Sequence, residues 1–140
     1  MWKINNISIK GIVGGIGFDI LASVLLSIIV AVVFSTSSGI SIENQNEYQQ
    51  AFEASLNVRL TFLIGGLLIA LGMGFIAEKL SSNLTLINAG ICGATLLLFN
   101  VIMVTINPEG TPIWSQIVII VGVLPLSVFG GWLVVKNKNT

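Results

Sequence analysis

Four long apolar stretches dominate this chain, at 11–34, 60–77, 86–106 and 113–135. Each is close to the roughly 20 mainly apolar residues needed to cross a bilayer core. In lipid no water is present to satisfy a backbone amide, so such stretches fold as helices whose hydrogen bonds stay internal. Few of the 140 residues are left for anything else. The expectation is an all-α membrane protein: one domain, 1–140, built as a four-transmembrane-helix bundle. Composition agrees, with 54% hydrophobic and only 9% charged residues, against about a quarter charged in a typical soluble protein.

The same composition removes most chemistries. Histidine is absent and Cys92 is the single cysteine. That excludes internal disulfides and the usual zinc, haem and iron–sulfur ligand sets, as well as nucleophile–histidine catalysis. Six basic and six acidic residues cancel, so no net charge points to nucleic acid. No cofactor and no bound metal are expected, and the chain does not read as an enzyme. Its expected partners are the lipid bilayer and other membrane helices, including copies of itself.

Orientation follows from the basic residues near the span ends. Lys3, Lys10, Lys79, Lys136 and Lys138 fall on one side and Arg59 on the other, so five of the six lie together. The expectation is a cell (inner) membrane protein with both termini and the second connection cytoplasmic. Trp2, Trp114 and Trp132 all fall at span ends, where amphipathic rings favour the headgroup level. The first span follows a basic start and precedes Ser35 and Ser37, as a signal peptide would. Its apolar core is longer than the usual 7–15 residues, so it reads as a retained helix. In the last connection, NPEGTP, Pro108 and Gly110 suit the second and fourth positions of a type I turn.

The external segment, 35–59, has a pattern of its own. Asn44 followed by Glu47 resembles a helix cap, and Tyr48, Phe52 and Leu56 recur at helical spacing. An additional amphipathic helix starting near Glu43 and leading into span two is expected. It would either lie on the lipid surface or present a docking face to an external partner.

Small residues recur every fourth position in span one: Gly11, Gly15, then Asp19, Ser23, Ser27, Ala31 and Ser35. Residues four apart share a helix face, and a small-residue ridge lets a second backbone approach closely. Span two repeats the pattern at Gly66, Ala70 and Gly74, and span three at Ala89 and Gly93. GGIG within span one lacks the preceding strand and exposed turn of a dinucleotide loop. Asn6 and Asn83 match the glycosylation pattern but fall on the cytoplasmic side, where it has no meaning.

Asp19 is the residue that most needs explaining. A carboxylate near a helix centre costs about 2.5–3.5 kcal/mol on insertion scales, so by default it marks a functional site or a required polar contact. A rise of about 1.5 Å per residue brings Gly72, Cys92 and Ser127 to its level. Arg59 is near the opposite surface, and Lys79 should snorkel to the cytoplasm. Span three offers Thr85, Asn88, Cys92 and Thr95 on one face, and Ser23 and Ser127 stand at a similar depth. The candidate intramembrane polar site is therefore Asp19, Ser23, Asn88, Thr95 and Ser127. A protonated Asp19 bonded to Asn88 or Ser127 would be structural glue; a titrating Asp19 beside water would be a proton or cation site. Pro125 should kink span four, Cys92 reads as a packing residue, and Asn100 should bond to a neighbouring helix.

The run GGLLIALGMGFIAEKLSSNLTLINAGICGA, with its glycine-rich span, short link and Asn–Gly opening, resembles small bacterial four-span membrane proteins of uncharacterised function. The G-x-x-x-D opening of span one is similar to theirs. The resemblance implies a bacterial or archaeal cell membrane and no particular activity. Two functions remain open on the sequence. One is an accessory, assembly or oligomeric scaffold protein acting through helix contacts. The other is a small oligomeric transporter or channel with Asp19 as its proton or cation site.

Overall fold

A computed structural model describes residues 7–40, 45–81, 85–106 and 112–138. Five helices occupy them: α1 (Ile9–Ser38), α2 (Gln45–Ala54), α3 (Leu56–Leu80), α4 (Ile87–Ile106) and α5 (Ile113–Lys138). Four are long and apolar enough to cross a membrane, and α2 is the short additional helix leading into the second span. Expectations resting on Trp2, Lys3, Asn6, Glu43, Asn44, Asn83 and the Pro108–Gly110 turn lie outside the described residues.

Local chemistry fixes the helix ends. Ser8 caps α1, its hydroxyl accepting from the Gly11 amide at 3.2 Å, and Gly39 closes that helix with a left-handed φ of 67°, a conformation glycine adopts without steric cost. Ser55 caps α3 by accepting from Val58 N–H at 3.4 Å. That cap separates α3 from α2, the additional helix expected to lead into span two. α5 runs unbroken through Pro125.

Consecutive spans run antiparallel, so α1 begins and α5 ends at the same end of the bundle, here the termini end. α3 is the central helix, packed against α1 on one side and α5 on the other, while α4 lies against α5 and α3. Glycine makes the α3–α5 crossing possible. A Cβ on Gly74 would overlap the Ser127 carbonyl, and one on Gly130 would overlap that of Leu71. Ala70 and Ala89 are fully buried, and a Cβ on Gly93 would stand 2.9 Å from that of Ser127. Gly130 and Gly131, in span four, are tight-approach positions outside the ridges picked from the sequence.

The ridge of α1 is used over its first half only. Gly11 sits against the Ala77 carbonyl, and a Cβ on Gly15 would meet the Ala77 Cβ and Cys92 Sγ, each at 3.0 Å. Ser23 and Ser27 are exposed. Gly15→Leu should therefore lower the melting temperature in detergent sharply, while Ser23→Leu should leave it at the wild-type value. Equal effects of the two variants would show that α1 packs along its whole length.

At the far end, α2 folds back against α1. The Tyr48 hydroxyl donates to the Ala31 carbonyl at 3.1 Å. Phe34 meets the Tyr48 and Phe52 rings edge-on, at centroid distances of 5.5 and 5.2 Å. The helical spacing of Tyr48 and Phe52 thus serves an aromatic cluster within the chain. At the termini end, Lys136 lies over the Trp132 ring at 5.0 Å and Lys79 over Phe75 at 5.7 Å. These pairings bury the apolar stems and leave the charges at the bundle edge.

Candidate functional site

Polar side chains inside an apolar bundle need partners, and they gather at two levels. The first is a buried cluster at the termini end. Asn88 Oδ1 accepts from Ser8 N–H at 2.8 Å, and Asn88 Nδ2 donates to Ser81 Oγ at 2.9 Å. Ser127 Oγ donates to the Ala89 carbonyl at 2.7 Å. Glu78, fully buried, accepts from Ala89 N–H through Oε1 at 3.1 Å. Its Oε2 has no hydrogen-bond partner among the described residues. All four spanning helices meet here through side chain or backbone.

Glu78 is not among the residues expected at a polar site, because it follows directly on the apolar run that ends at 77. The ridge itself carried the signal, since Glu78 is the next fourth position after Ala70 and Gly74. Its carboxylate points at the first turn of α4, where unpaired amides and the helix dipole favour negative charge. A Cβ on Gly131 would stand 2.9 Å from the Glu78 Cγ, so glycine on α5 makes room for the acid.

Asp19 belongs to the second level. Asn88 and Ser127, the partners expected for it, are engaged in the lower cluster. Thr95 is exposed and donates to Ile91 of its own helix at 2.9 Å, and Asn100 likewise donates to Leu96 at 2.8 Å. Asp19 and Ser23 instead line a cavity of about 400 Å³, walled by all four spans. Asn100 is its third polar residue; Phe62, Phe99, Leu96 and other apolar side chains make the rest. Gly66 lies on this wall, with open space where a Cβ would be. Asp19 makes no hydrogen bond or ion pair among the described residues.

A thin layer separates the two levels. Met73, Ala77 and Cys92 are almost completely buried, with Ile12, Ile16, Phe18 and Leu96 packed around them. Phe18 lies over Gly72, as the estimated depths predict. In this layer α1 and α4 touch, with Cys92 Sγ 3.7 Å from the Ile12 carbonyl. Above it the Asp19 cavity lies between them, with Ile20, Ser23 and Val24 of α1 and Phe99 of α4 exposed on its wall. A second cavity of about 410 Å³ lies between α1 and α3 near the far end; its lining carries hydroxyls and Asn57 but no charged group. Among the described residues, no cluster of histidine, cysteine and acidic side chains is placed to hold a metal ion.

Compared with known proteins, the chain matches no family model, no curated sequence and no solved structure.

Proposed function

We propose that this protein is a small transporter or channel of the bacterial inner membrane, with both termini cytoplasmic and Asp19 as its proton or cation site. One observation carries the reading: an acid at mid-span depth lines a cavity and has no hydrogen-bonding or ionic partner among the described residues. An intramembrane acid is expensive unless it is paired or solvated. A cavity supplies the space in which water or a cation can meet it, and a carboxylate that alternately holds and releases that charge is the minimum a coupled carrier needs.

The test is pH-dependent flux in proteoliposomes of wild type beside Asp19→Asn. Asn keeps the shape and can hydrogen-bond but cannot titrate. The variant should fold normally and lose the flux. Absence of flux in the wild type for every cation tested, or an active Asn variant, would overturn the reading.

A second reading, an accessory or scaffold protein acting through helix contacts, is favoured by α1. Beyond Gly15 much of that helix surface is uncovered, and Ser27 lies on its exposed side. Under this reading Asp19→Asn folds and assembles as the wild type does, and neither protein conducts.

A further inference from the structure

The cavity at Asp19 has a composition that narrows what it can hold. We infer that it binds a monovalent organic cation with a bulky apolar body, taken up laterally from the bilayer between α1 and α4. This rests on the reading of Asp19 as a cation site and names the class of cation.

Charge decides the sign. Among the described residues, Asp19 is the only charged one on the cavity wall. The described basic residues all stand near helix ends: Lys10, Lys79, Lys136 and Lys138 at the termini end and Arg59 at the far end. None of these, in this chain or in a second copy embedded at the same depth, stands at the level of Asp19. The neutralising charge has to come from a ligand or a proton.

The rest of the wall decides the kind of cation. A small inorganic cation such as calcium takes six to eight oxygen ligands. This wall offers polar side chains from three residues, Asp19, Ser23 and Asn100, and the Asn100 amide nitrogen is already used within α4. The remaining surface is apolar, with Phe62 and Phe99 among it. Aromatic faces attract a cation through their quadrupole, and desolvated apolar walls favour an apolar body. A volume of about 400 Å³ lies within the range of roughly 300–1,000 Å³ for small-molecule sites. The charge of such a ligand is shielded or delocalised, so it can cross the hydrocarbon to reach the gap between α1 and α4.

Tetraphenylphosphonium and tetraphenylborate share one shape and carry opposite charge, so together they separate partitioning from recognition. Equilibrium binding of each would be measured with the full chain in lipid nanodiscs. Saturable binding of the phosphonium and only linear uptake of the borate are expected. Asp19→Asn should weaken phosphonium binding about tenfold or more, through loss of a charged contact. Gly66→Leu, which fills the cavity, should abolish it while melting at the wild-type temperature. No saturable phosphonium binding by the wild type, or equal binding by Asp19→Asn, would overturn the inference. The outcome is separable from the flux test. Asp19-dependent proton flux without phosphonium binding removes the organic cation and leaves the transport reading, whereas phosphonium binding without flux removes transport and leaves the site.

Discussion

Gly74→Leu should leave no folded protein to purify, while Gly66→Leu, on the same ridge of α3, should fold with wild-type stability. A Cβ at position 74 already overlaps the Ser127 carbonyl, so even Gly74→Ala must push α5 away. Overpacking of this kind costs about 1–3 kcal/mol, and the opposing atom is backbone, which no rotamer change can move. Displacement there also strains the Ser127 hydroxyl bond to Ala89. At Gly66 the same addition enters the Asp19 cavity and touches nothing within 4 Å. Circular dichroism and thermal melting in detergent check both. A stable Gly74→Leu would mean that α3 and α5 do not cross as described.

Glu78→Ala should lose nearly as much. It removes the acceptor of the buried Ala89 amide, and an unsatisfied buried donor costs about 1–3 kcal/mol. It also leaves a void beside Gly131. Glu78→Gln keeps an acceptor oxygen and most of the volume, so it should recover most of the loss. Unfolding by sodium dodecyl sulfate titration gives the comparison. If alanine is tolerated as well as glutamine, Glu78 is not the cap of α4.

Sequence and structure agree where the physics is one-dimensional. Hydrophobic length defines the four spans to within a few residues, because the bilayer requires a fixed run of apolar residues and satisfied amides. The helix outside them was legible from Tyr48 and Phe52, but not its break, since the Ser55 cap is a single hydroxyl with no periodic signature. The polar site was harder. Depth along the axis could be counted for α3, where Phe18 lies over Gly72, but not for α4 and α5, where Cys92 comes level with Gly15 and Ser127 bonds Ala89 in the lower cluster. Azimuth could not be counted. Asn88 and Ser127 are bonded to Ser8, Ser81 and Ala89, whereas Asp19 faces the cavity. Glu78 escaped notice for a related reason: a charged residue at the edge of a span reads as a boundary, and only its neighbours across the bundle reveal it as interior.

The uneven fastening of α1 has a mechanical consequence. Close contacts at Gly11 and Gly15 hold one end of this 30-residue helix, and Tyr48 and Phe34 tie the other to α2. Such a helix is a lever with its fulcrum at the glycines. Any swing that changes its separation from α4 sweeps the smallest arc at Gly15 and a far larger one at Ala31, where the Tyr48 hydroxyl holds on. A movement of α1 that widened or narrowed the Asp19 cavity would therefore also move the seat of α2.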